Sequence, residues 1–135
     1  GRVKLPRGVA EAARRRVEKL PAPARDAAVK LALVREPVPA ALARKIFGEP
    51  VGTLVEEGLL VRDRGRYRFP SELLRRGADV LKGAARAKAL KETARDLAEP
   101  APALAAPLLV EAGEVEDART VGLPAAQALY EKRRL

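Results

Sequence analysis

Proline constrains this chain more than any other residue. Eleven prolines punctuate 135 residues, and three close pairs stand out: Pro21/Pro23, Pro37/Pro39 and Pro100/Pro102. A proline inside a helix removes a backbone donor and clashes with the preceding turn. Helices must therefore be short and must start or stop at these pairs. The segments between them are rich in small and branched apolar residues, with 27 Ala and 19 Leu against two Tyr and two Phe. Ala faces let helix axes approach closely, so the sequence predicts a mainly α fold of short, tightly packed helices.

Spacing within the segments supports this. Val9, Ala13, Val17 and Leu20 recur at helical period, with Arg14, Arg15, Glu18 and Lys19 on the other face. A second helix is expected over about 24–35, with Ala28, Leu31, Ala32 and Arg35 sharing a side. A third, 39–47, begins at Pro39 and ends at Gly48. A fourth, about 50–57, presents Leu54 and Val55 and ends at Gly58. The period then changes. Leu59-Leu60-Val61-Arg62 and Arg66-Tyr67-Arg68-Phe69 flank Asp63-Arg64-Gly65, which predicts a two-stranded hairpin. Ser71 is placed to N-cap a long helix carrying Leu73, Leu74, Ala78 and Leu81, and helical period resumes over 84–98. Two more helices are expected at about 103–112 and 124–134, the latter with Arg133 and Arg134 against its C-terminal dipole.

Charge divides the chain at the same place as proline. Residues 1–98 carry 23 basic and 12 acidic groups, a net of +11, and residues 99–135 carry 4 and 6, a net of −2. The expected organisation is a winged-helix domain over 1–98 and the start of a helical-repeat appendage over 99–135. The order helix, helix, helix, hairpin, helix is that of a winged helix-turn-helix with a two-stranded wing, and Gly48-Glu49-Pro50 is its turn.

Composition excludes several chemistries. The chain has no Cys and no His, so it offers no disulfide, thiolate nucleophile, imidazole base or ordinary zinc site. It has no G-x-x-x-x-G-K-[ST] phosphate loop. Its few hydroxyls lack a base partner, and adjacent carboxylates such as Glu56-Glu57 and Glu116-Asp117 project to different helix faces. The expectation is a non-enzyme without metal or cofactor. No apolar run is long enough to span a bilayer and no secretory pattern is present, so a cytoplasmic protein with no membrane partner is expected. There is no Asn and a single Gln, Gln127, a composition expected of a thermophile with a GC-rich genome. Without any Met, the chain either lost its initiator before Gly1 or is a fragment of a longer protein.

Candidate binding residues are cationic. Arg62, Arg64, Arg66 and Arg68 lie on the hairpin, and alternation puts Arg64, Arg66 and Arg68 on one face, opposite Tyr67 and Phe69. That ribbon serves phosphates or an acidic partner, or is simply the solvated side of the sheet. Arg14, Arg15, Arg44 and Lys45 form a secondary basic patch open to the same two readings. The helix in the recognition position, Pro50–Gly58, carries no Arg, Lys, Asn or Gln and ends in two carboxylates, which argues against base reading.

The residues also resemble a known family. Leu5-Pro6, Val9, Arg16-Val17, Leu20-Pro21 and Ala24-Arg25 are similar to the segment that follows the ATPase core in bacterial signal-transduction ATPases with numerous domains. These include LuxR-type ATP-binding activators and antibiotic-regulatory activators. Thr53-Leu54-Val55-Glu56-Glu57-Gly58-Leu59-Leu60-Val61 resembles the family's next signature, and Arg66-Tyr67-Arg68-Phe69 with Leu73-Leu74-Arg75 resembles the end of its wing. Residues 88–98 resemble the helix that follows, and 108–118 the opening of tetratricopeptide-like repeats. The resemblance implies a regulatory module of a transcriptional regulator, a winged helix acting between an ATPase core and helical repeats, with other domains of the parent protein as partners. An apolar edge at Leu108, Leu109, Leu129 and Tyr130 would then be exposed and would favour a homodimer. The other reading is a stand-alone winged-helix DNA-binding regulator, for which the charge of +9 speaks.

Overall fold

The computed structural model describes residues 4–113, with side chains from residue 10 onward. Among the described residues it is mainly helical, with a small three-stranded antiparallel sheet. The order is α1 (Lys4–Glu18), α2 (Ala22–Val34), β1 (Val38–Pro39), α3 (Ala40–Phe47), α4 (Pro50–Glu56), β2 (Val61–Asp63), β3 (Arg66–Arg68), α5 (Glu72–Ala78), α6 (Gly83–Leu97) and α7 (Pro102–Glu111). None of these helices is long and apolar enough to cross a membrane. The chain forms two compact units, Gly1–Val80 and Leu81–Leu135.

In the first unit α2 is the central element. Pro21 precedes it and Pro23 sits in its first turn, where a missing N–H is harmless. Eight of its thirteen residues are buried, including the run Leu31-Ala32-Leu33-Val34. The single apolar side expected from spacing is thus too narrow, because a helix enclosed by neighbours buries nearly its whole circumference. The helix ends at Arg35, which takes a left-handed conformation (φ 65°). For a residue with a Cβ this costs about 1–2 kcal/mol.

The sheet has one strand more than the expected wing. Val38 pairs with Tyr67 and Pro39 with Arg66, giving the strand order β1-β3-β2. A two-residue strand containing proline leaves no alternation to read. Pro39 sits on an edge strand, where proline is tolerated. Arg64 and Gly65 form the hairpin turn with φ of 54° and 78°. Both central residues at positive φ define a type I′ turn, which matches strand twist but favours Asn, Asp or Gly at the place Arg64 fills. The Ala40 N–H donates to the Gly65 carbonyl at 2.8 Å, so the tip of the hairpin is tied to the start of α3.

Helix α5 begins as expected, with the Leu74 N–H donating to the Ser71 hydroxyl at 3.2 Å. It is shorter than expected. Asp79 leaves helical geometry (ψ 73°), and α6 starts afresh at Gly83. Gly77 of α5 is buried against α1, where a Cβ would come within 2.5 Å of both the Ala10 carbonyl oxygen and the Ala13 Cβ.

In the second unit α6 packs on α7. The buried stripe Ala89, Leu90, Thr93, Ala94 and Leu97 follows helical period, and the Thr93 hydroxyl donates to the Ala89 carbonyl at 2.7 Å. Arg86, near the start of α6, meets Glu111, at the end of α7, at 2.6 Å, so the two helices run antiparallel. The pair straddles Pro100, and the units divide after Val80, before the proline-marked boundary at 99. A proline pair marks a turn between helices; packing decides on which side of a domain boundary that turn falls. Pro107 lies within α7 but faces solvent, as does Ala103, the residue to which it can donate no i→i−4 hydrogen bond.

Candidate functional site

The hairpin brings three of its four arginines to one place. Arg64, Arg66 and Arg68 line a shallow cleft with Pro37 and Asp63. All three are exposed. Only Arg66 and Arg68 reach it by strand alternation; Arg64 belongs to the turn. Arg62 is set apart from them. It pairs directly with Tyr67, and directly opposed residues project to the same side of a sheet. The two-residue turn fixes this register, and the three arginines in the cleft are those that alternation put on one face. Arg68 pairs with Asp63 at 3.4 Å, and both side chains remain about half exposed. Among the described residues Arg64 and Arg66 have no ion-pair partner.

Tyr67 is the buried anchor of the sheet, and its hydroxyl accepts from Arg44 Nε at 3.0 Å. The Arg44 guanidinium carbon lies 5.9 Å from the ring centroid, so the hydrogen bond rather than stacking defines the contact. Arg44 therefore ties α3 to β3, a role twenty-three residues distant in sequence that no local pattern could disclose. Lys45 shares the last turn of α3, where cations meet the carbonyl end of the dipole. Arg14 and Arg15 are exposed on α1, a different helix, so the secondary basic patch is spread over two elements.

Helix α4 buries Val51 and Leu54 and turns Glu56 and Val55 outward, with Glu49 just before it and Glu57 just after. Glu49, Thr53 and Glu56 line a shallow cleft whose other wall is Pro21 and Pro23. The outward side of α4 is thus acidic.

A further cleft lies between the end of α2, the residues after β3 and the start of α5. Leu31, Leu60 and Phe69 line it on the apolar side, and Arg35, Arg68 and Arg75 on the polar side. Sequence reasoning missed Arg75 as an organising residue. Its guanidinium donates to Glu72 at 2.6 and 2.9 Å, to Asp79 at 3.4 Å and to the Ala32 carbonyl at 2.9 Å. The i−3 and i+4 carboxylates were visible in the sequence; the carbonyl at the end of α2 was not.

The Arg75 hydrogen bonds hold the Glu72 carboxyl at about 2, below its ordinary 4.5. A depressed carboxylate stabilises the fold fully above its unfolded value and loses that contribution as pH falls from about 4.5 towards 2. Glu72 is more than half exposed, so solvent limits the amplitude to about 1 kcal/mol or less. Glu72→Gln should flatten this part of an acid titration followed by urea unfolding, while leaving stability at pH 7 lower by a similar amount.

The apolar edge expected on α7 is not there. Leu108 and Leu109 are 2% and 7% exposed, because with Ala105 they form the buried stripe of the helix. Val110 is the outward apolar residue of that turn, at 54%. Leu129 and Tyr130 lie outside the described residues. Among the described residues no group of three or more carboxylates is placed to hold a metal ion.

Comparison with protein-family models, curated proteins and solved structures returned no match.

Proposed function

We propose that residues 1–80 are a winged-helix unit that works by contact with other polypeptide, as a non-catalytic cytoplasmic module of a transcriptional regulator. The element order α2-β1-α3-α4-β2-β3 with sheet order β1-β3-β2 supports the winged-helix reading: a short strand precedes the helix-turn-helix and the wing returns to pair with it. The antiparallel α6–α7 pair supports reading the second unit as the start of a tetratricopeptide-like array. The module would then sit between a nucleotide-binding core and that array. Self-association through Leu108 and Leu109 is not part of the proposal, since both are buried.

One observation carries the choice of polypeptide over DNA. The helix in the recognition position offers Glu49, Glu56 and Glu57 to its surroundings and no Arg, Lys, Asn or Gln for base edges. A wing tied at its tip to α3 also has little reach into a groove. The second reading, a DNA-binding regulator, draws on the Arg64, Arg66 and Arg68 cleft.

Gel retardation of short duplexes separates the two. A protein of charge +9 is expected to retard any duplex weakly, with binding lost between about 50 and 200 mM salt and no preference for sequence. Sequence-preferring retention at physiological salt, reduced by substitutions in residues 50–57, would establish the DNA reading instead.

A further inference from the structure

The two clefts beside the wing adjoin, since Pro37 and Arg68 line both. Together they line one groove that runs from the outward side of the wing round the end of the sheet to the start of α5, within residues 31–75. The apolar surface it leaves open is that of Phe69 and Pro70, lying over Leu31 and Leu60, which are already buried. Its rim carries Arg35, Arg64, Arg66, Arg68 and Arg75 against the acids Glu36, Asp63 and Glu72, the last paired with Arg75, so its balance is cationic.

The backbone adds an independent observation. Among the described residues only two non-glycine residues have positive φ, Arg35 at 65° and Arg64 at 54°. One closes α2 and the other opens the hairpin turn, both places where local energetics favours glycine. Each brings a guanidinium to the same groove. Strained residues gather at functional sites, and here two locally unfavourable arginines converge on one surface.

We propose that this groove docks an extended acidic polypeptide segment that carries an apolar anchor residue. Carboxylates of the segment would meet the arginine rim, where guanidinium and carboxylate pair in matching geometry. The anchor would cover Phe69 and Pro70. The apolar surface is what distinguishes this occupant from a phosphodiester backbone, which has no side chain to cover it. The Arg68–Asp63 pair is exposed at 3.4 Å, and such a pair yields readily to an incoming carboxylate. The inference rests on reading the unit as a polypeptide-contacting module, and it names the partner's chemistry.

The test uses the full chain with Arg35→Gly, Arg64→Gly and the double variant. Glycine is the residue these backbones prefer, so the variants should melt at or above the wild-type temperature. The probes are a labelled peptide alternating Glu with Leu, a Glu and Gly peptide of equal charge, and a short mixed-sequence duplex, read by fluorescence anisotropy at low salt. The Glu and Leu peptide is expected to bind the wild type more tightly than the Glu and Gly peptide. Its affinity should fall about two- to fivefold for each arginine removed. Four results would each overturn the proposal: no binding of the Glu and Leu peptide to the wild type, equal binding of the two peptides, unchanged affinity in the variants, or lower melting temperatures in both. Duplex binding that the variants abolish would overturn it too, by assigning the groove to nucleic acid. Failure of the peptide alone removes the groove but leaves the reading of the unit to the retardation assay.

Discussion

Arg75→Ala is expected to destabilise residues 1–80 by about 2–4 kcal/mol. The side chain is only 11% exposed and makes contacts in three directions. The Ala32 carbonyl belongs to the end of α2, where helical carbonyls lack partners within the helix. Losing its donor there costs the desolvation of a half-buried acceptor, about 1–3 kcal/mol. Asp79, at 14% exposure, loses a guanidinium at 3.4 Å, while the more exposed Glu72 regains water and contributes little. Arg75→Lys should fall between, because an ammonium keeps the charge but lacks the planar fork that reaches carbonyl and carboxylates together. Amide exchange read peptide by peptide measures the effect on residues 1–80 without requiring both units to unfold together. A change in opening free energy below about 0.5 kcal/mol would show that α5 is held by its apolar side alone.

Gly77→Val is expected to cost about 3 kcal/mol, through an overlap that α1 cannot avoid. Two effects of opposite sign compete at this position. In a helix, replacing glycine by alanine ordinarily gains about 1 kcal/mol. Here the added Cβ would stand 2.5 Å from the Ala10 carbonyl oxygen and the Ala13 Cβ, and 3.1 Å from the Arg14 amide nitrogen. Two of these are backbone atoms, which cannot swing aside as a flexible side chain would. The overlap, at about 1–3 kcal/mol for one added carbon, outweighs propensity, so Gly77→Ala should already be destabilising. Ala13→Gly in the Gly77→Ala background should recover part of the loss, since it removes one of the two closest contacts and leaves the Ala10 carbonyl. Urea unfolding of the four proteins measures the coupling. Stabilisation by Gly77→Ala would show that α1 and α5 are not in such close approach.

Most helices were legible because their evidence is local. Pro21/Pro23, Pro39, Gly48, Pro50 and Gly58 bound α2, α3 and α4 within two residues of where spacing put them. The hairpin was legible because Arg64-Gly65 lies between two β-competent runs. β1 was not, because Val38–Pro39 becomes a strand only by pairing with Tyr67 and Arg66, and two residues have no period of their own. The length of α5 was misjudged for a similar reason. Leu81 continues an apolar stripe, but Asp79 turns the backbone out of the helix with its carboxylate held by Arg75.

The candidate site divides in the same way. That the wing is cationic and α4 acidic was readable from residue types alone. That Arg62 lies directly opposite Tyr67, that Arg44 is engaged by Tyr67, and that Arg35 joins the wing's groove were not.

Sequence alone settled what is carried by bonds between near neighbours: where helices stop, where the chain reverses, and which segments bear which charge. Proline and glycine act on the torsions of their own turn, so their effect needs no knowledge of the rest. Tertiary structure alone decided which of those charges meet. Leu108 and Leu109 are covered rather than open, Gly77 is a contact rather than a flexible point, and Arg75 joins two helices forty-three residues apart. Such outcomes depend on which surfaces come together in space, and an amphipathic pattern states only that a face must be covered, never by what.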